Sequence, residues 1–85
     1  MLFVALLSAM PGAARHLIRG IKNIQMPSGV KMEKIYGLFG EYDHIIIFEA
    51  ESHAHADIFL SQFKDLARIL VRSATEANNL RWTSY

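Results

Sequence analysis

A glycine–glutamate–tyrosine–aspartate segment at positions 40–43 holds the side chains best suited to chemistry in this 85-residue sequence. Gly40 permits positive φ, Tyr42 carries a hydroxyl on an aromatic ring, and Asp43 accepts hydrogen bonds from backbone N–H groups. The same residue types also suit a tight turn between paired strands. The segment therefore predicts a turn, and a role in binding remains an alternative.

Glu49 and Arg72 are a second candidate pair, because each is a charged residue next to an apolar run. If both face the same side of a sheet, they could form a buried ion pair or bind a small polar molecule. An ion pair is the commoner structural outcome, and the sequence leaves both alternatives open.

His53 and His55, with Asp57 nearby, have the residue types of a metal site. Residues two apart on a helix point in nearly opposite directions, so an exposed helix N-terminus is the simpler interpretation. The sequence contains no cysteine, and we find no nucleophile–base pair and no glycine-rich phosphate loop. We therefore predict no catalytic residue, no metal and no cofactor.

Composition narrows the classes of partner. The net charge is +1, which gives no field for recruiting nucleic acid or an anionic membrane, and no run approaches the ~18 apolar residues of a membrane span. Leu2–Leu7 is apolar like the core of a signal peptide, but it is short and no positive residues precede it. We interpret it as a first strand and expect a cytoplasmic protein.

The hydrophobic periodicity predicts six elements in the order strand–helix–strand–strand–helix–strand. In strand two the alternation slips by one residue near Glu33 and Lys34, which predicts a β-bulge. The predicted elements are strand Leu2–Leu7, helix Ala13–Gln25, strand Val30–Phe39, strand His44–Ala50, a helix capped by Ser52 and continuing to Ala67, and strand Arg68–Thr75.

Two strand–helix–strand units with right-handed crossovers give a ferredoxin-like α+β fold, in which both helices cover one face of an antiparallel sheet ordered 4-1-3-2. We assign residues 1–76 to this domain. Residues 77–85 form a tail that we expect to dock on its own or a neighbouring subunit, because Trp82 and Tyr85 are large aromatics near a chain end.

The two central strands do not alternate between apolar and polar residues. Leu2–Leu7 is apolar throughout, and so is Ile45–Phe48. The sheet face away from the helices would then expose a large apolar patch, which soluble monomers rarely do. We expect a homodimer through this face, with a β-barrel between the subunits, and larger assemblies remain open.

The run Tyr36-Gly37-x-x-Gly40-x-Tyr42-Asp43, followed by a strand ending in Glu49-Ala50, resembles GYD-domain proteins and the effector-binding domains of Lrp/AsnC-type regulators. Both belong to the dimeric α+β barrel superfamily. The resemblance implies a small-molecule site between subunits, with Gly40, Tyr42 and Asp43 lining it. This chain has no room for the regulators' helix-turn-helix, so direct DNA binding is not implied.

The resemblance supports two functions. The first is a stand-alone module that binds or senses a small molecule. The alternative is a cofactor-free enzyme, similar to the monooxygenases and isomerases of the same superfamily. Such an enzyme would need side chains among His16, His44, Tyr42 and Asp43 to converge in one pocket.

Overall fold

The computed structural model describes residues 1–75, which form a four-stranded antiparallel sheet and two α-helices. The sheet order is β2-β3-β1-β4, so the predicted ferredoxin-like fold and its strand order are confirmed. The elements are β1 Leu2–Ala9, α1 Ala14–Lys22, β2 Val30–Gly37, β3 His44–Ala50, α2 His53–Leu60, a 3-10 turn Ser61–Phe63, and β4 Ala67–Ala74.

The two central strands are apolar on both sides, but only one side is covered. Alternate residues of β1 and β3 are buried against the helices, while the residues between them are half-buried or, at Glu49, exposed. Strand pairing fixes which residues share a side, because side chains alternate along each strand. The residues buried against the helices are Phe3, Ala5 and Leu7 of β1 and Ile46, Phe48 and Ala50 of β3.

The helix side of the sheet holds the hydrophobic core, and four phenylalanine rings run through it. Phe48 lies between Phe3 and Phe59, with ring centroids 5.5 and 4.7 Å away. The Phe59 ring meets Phe63 edge-on at 6.5 Å. Leu17 is the buried contribution of α1. All five side chains have relative exposures of 1% or less, so each of them contributes nearly all of its apolar surface to the core.

Three predicted boundaries were wrong in the same way, because apolar residues continue past the end of an element. Strand β2 ends at Gly37 rather than Phe39, because the Asp43 N–H donates to the Leu7 carbonyl and returns no hydrogen bond to Leu38. Helix α2 ends at Leu60, and the 3-10 turn carries Phe63 into the core at nearly helical spacing. Helix α1 also ends earlier, at Lys22.

The bulge in β2 is confirmed. Met32 pairs with Phe48 and Lys34 pairs with Ile47, so Glu33 is the extra residue. The bulge returns Ile35 to the helix side opposite Ile46. The predicted docking of the C-terminal tail concerns residues outside those that the structure describes.

Gly29 lies in the turn before β2, and His55 from the first turn of α2 packs against it. Its φ is +81°, and a Cβ added there would lie 2.6 Å from Cδ2 of His55. We expect Gly29→Ala to lower the free energy of unfolding by about 2–4 kcal/mol, from backbone strain plus the clash. Gly12→Ala is the matched control, because Gly12 has φ +79° with nothing within 4 Å of its Cβ position. If urea unfolding gives the same loss of unfolding free energy for both variants, the His55 contact does not contribute to the effect.

Candidate functional site

The side of the sheet away from the helices, which we call the open face, is an apolar field with charged residues around it. By strand pairing, Val4 lies between Ile47 of β3 and Arg72 of β4 at its centre. The field consists of Leu2, Val4, Leu6, Ile45, Ile47 and Leu70, all of them half-buried. None of the described elements packs over it, since the helices lie on the other side.

The loop at residues 38–43 crosses the end of β1 and is fixed there by Asp43. The Asp43 carboxylate accepts a hydrogen bond from the Ala9 N–H at 2.7 Å. The backbone N–H of Asp43 donates to the Leu7 carbonyl at 2.8 Å. Gly40 has φ +133° and nothing within 4 Å of its Cβ position, so its role is to allow the turn. The structural interpretation of Gly40 and Asp43 therefore accounts for the contacts that these residues make.

We expect Asp43→Ala to lower the free energy of unfolding by about 1–3 kcal/mol, because the partly buried Ala9 N–H loses its acceptor. Asp65→Ala is the matched control, since Asp65 is exposed and accepts no hydrogen bond within residues 1–75. Chemical denaturation of both variants measures the difference. Equal stabilities would contradict the assignment of Asp43 as the residue that fixes the loop.

Tyr42 lines a notch where this loop meets the beginning of β4. The notch has a volume of about 240 Å³ and is lined by Ser8, Glu41, Tyr42, Arg68, Ile69 and Leu70. The Ser8 hydroxyl donates to the Glu41 carbonyl at 3.2 Å, which holds the loop against β1. Ser8 and Arg68 are direct partners in the β1–β4 pairing. The sequence interpretation identified Tyr42 but missed Ser8 and Arg68.

Glu49 and Arg72 both lie on the open face, but they do not meet each other within the chain. Glu49 pairs with Leu2 and Arg72 pairs with Val4, on strands separated by β1. Both residues are exposed, and Arg72 donates to the carbonyl of Val71 (Nη1···O 2.8 Å). Glu49 lines a separate hollow of about 330 Å³ at the other end of the sheet. Leu2 and Ser8 are six residues apart in β1, so this hollow lies about 20 Å from the notch.

The two histidines of α2 contact different neighbours. His53 meets the Phe3 ring edge-on, with centroids 5.2 Å apart. His55 lies with Nδ1 2.7 Å from the Ser52 hydroxyl and Nε2 3.5 Å from the Glu51 carboxylate. Ser52 also accepts the His55 N–H at 3.2 Å, which confirms it as the N-cap of α2. This cluster closes a helix end, and among residues 1–75 no three potential metal-ligating side chains come together.

Comparisons with protein-family models, with curated proteins and with solved structures give no match to this chain. The resemblance to GYD and Lrp/AsnC effector domains therefore stays a prediction from a few residues. In the part of the chain that the structure describes, α-helices are at most nine residues long, and no helix combines the length and apolarity needed to cross a bilayer.

Proposed function

We propose that this chain is a stand-alone small-molecule binding module that acts as a homodimer through the open face of its sheet. The observation that carries the proposal is the position of the notch: Tyr42 and Arg68 lie at the edge of an apolar field that has no cover within residues 1–75. A second copy of the chain would cover the field and close the notch into a cavity between subunits.

The dimer is supported by the apolar field itself. Contiguous apolar surface of this kind on a soluble protein usually marks an interface. Two sheets packed face to face interdigitate their side chains in a shared layer, and a two-fold axis needs one self-complementary surface. A second copy of the same sheet meets both requirements.

The binding function is supported by the notch. Its volume of about 240 Å³ approaches the roughly 300 Å³ at which typical ligand pockets begin. It also combines an apolar wall with a phenol, a hydroxyl and a guanidinium, which is the mixture that orients a small molecule. The resemblance to effector-binding domains agrees with this assignment but does not carry it.

The enzyme alternative finds less support. Asp43 uses its carboxylate to bind a backbone N–H, and neither His16 nor His44 lines the notch with Tyr42. His44 is on the helix side of the sheet, opposite Leu7, and His16 is exposed on α1. The four side chains that such an enzyme would need are not gathered in one pocket of the described chain.

A thermal-shift screen against amino acids and small metabolites tests the proposal. A ligand at 100 times its dissociation constant stabilises the folded state by about 2.7 kcal/mol, which raises Tm by about 10–20 °C in a domain of this size. Tyr42→Ala should remove the response, while Ile58→Ala should retain it, because Ile58 is exposed on α2, away from the open face, and does not line the notch. A flat panel, or equal loss in both variants, would count against the proposed site.

A further inference from the structure

We infer that the notch binds the head group of a small organic anion, a carboxylate or a phosphate, whose apolar body lies over Leu70 and its neighbour Leu6. This inference rests on the proposed function and adds the chemical class of the ligand. It follows from the charge and hydrogen-bonding capacity that Arg68 and Tyr42 leave available.

The guanidinium N–H groups of Arg68 have no hydrogen-bond acceptor among residues 1–75, and the guanidinium makes no ion pair with any of them. Arginine presents five N–H donors in a planar fork that matches the two oxygens of a carboxylate or phosphate. Tyr42 lines the same notch, and its hydroxyl also has no hydrogen-bond partner among these residues. Together Arg68 and Tyr42 offer an anion a positive charge and directed hydrogen-bond donors.

The surroundings of Arg68 favour an anion with an apolar body. Leu70 lines the notch together with Arg68 and pairs with Leu6, so the apolar field begins next to Arg68. By strand pairing, the charged residues on the open face of the four strands are the cations Lys31, Lys34, Arg68 and Arg72 and the acid Glu49, and the bulge residue Glu33 lies beside Lys34. Four positive charges against two negative charges leave an excess of two, which attracts anions.

Among residues 1–75, Glu41 is the one acidic residue that lines the notch, and it gives the inference a sharp test. Its side chain is exposed and forms no ion pair with Arg68. A bound anion would therefore be attracted by Arg68 and repelled by Glu41. Neutralising the two residues separately should change anion affinity in opposite directions, which a purely structural role would not do.

The experiment is an NMR titration of the 85-residue chain with benzoate, phenylphosphate and the neutral analogue benzyl alcohol. Both anions should bind more tightly than the alcohol, and their affinities should fall as salt is added. Arg68→Gln should weaken anion binding about tenfold and Glu41→Gln should strengthen it about two- to threefold. Arg15→Gln is the matched control, because Arg15 is exposed on α1 and should leave the affinity unchanged.

Other outcomes would overturn the inference. Equal affinity for benzoate and benzyl alcohol, no binding of either anion, or equal losses in the Arg68 and Arg15 variants would remove the anion assignment. If the metabolite screen then finds a neutral or cationic ligand that depends on Tyr42, the anion assignment fails while the proposed function stands. If that screen is also flat, the proposed function fails with it.

Discussion

Replacing Phe48 with alanine is expected to lower the free energy of unfolding by about 3–5 kcal/mol, the cost of removing a fully buried phenyl ring and leaving a cavity. Phe48 has 0% relative exposure and packs between the rings of Phe3 and Phe59. A chain of 85 residues has a total stability of about 4–13 kcal/mol. The variant should therefore lose a large share of the stability, and its urea midpoint, followed by circular dichroism, should fall well below that of the wild-type chain.

Phe39→Ala makes the same chemical change at a position that is 106% exposed, so it is the matched control. It should change the free energy of unfolding by less than about 0.5 kcal/mol. Both titrations should be run at one protein concentration, because self-association contributes to apparent stability. A Phe48 variant that unfolds at the same urea concentration as the Phe39 variant would contradict the assigned core.

The second large effect is expected from Ile47→Lys, at the centre of the open face. Ile47 lies between Val4 and Lys34, so the new ammonium group would add charge next to an existing cation and enter the proposed interface. In a two-fold dimer the substitution occurs twice. Burying an unpaired charge is costly, and a loss of about 1.4 kcal/mol corresponds to a tenfold change in affinity. We expect dimer affinity to fall about 100-fold or more, as measured by sedimentation equilibrium.

Ile58→Lys is the control for this change. Ile58 is 61% exposed on α2, on the helix side of the sheet, so the same substitution should leave self-association unchanged. Circular dichroism should show that both variants remain folded. Equal effects of the two substitutions on association would place the interface somewhere other than the open face.

The sheet order could be predicted because the apolar and polar residues along each strand indicate whether the strand is central or at an edge. The apolar runs in Leu2–Leu7 and Ile45–Phe48 belong in central strands, and the polar residues of β2 and β4 belong at edges. The bulge at Glu33 was equally visible, since a one-residue insertion reverses the alternation. These predictions rest on the two-residue period of a strand, which short segments display clearly.

The ends of elements were harder to predict, because the apolar pattern of the sequence continues after the regular strand or helix has ended. Phe39 extends the apolar run of β2, yet it is fully exposed in the loop. Phe63 continues the helical spacing of α2 but reaches the core from a 3-10 turn. In both places the backbone hydrogen bonds leave the regular pattern of the element, and side-chain hydrophobicity does not report this change.

The residues of the candidate site could be predicted only in part from the sequence, because they come from separate elements. Tyr42 could be identified from its turn, whereas Ser8 and Arg68 are 60 positions apart and meet only through the β1–β4 pairing. A signal did exist: each is a polar residue at the end of an apolar strand that faces the open side. Aligning β1 antiparallel to β4 before choosing site residues would have placed them together.

Sedimentation equilibrium of the wild-type chain at micromolar concentration examines the central claim most directly, namely that the uncovered apolar field lies against a second molecule of the same chain. We expect a mass about twice that of the 9.6 kDa chain, or a larger multiple. A folded protein that sediments at 9.6 kDa across this range would contradict the dimer and the closed cavity that depends on it.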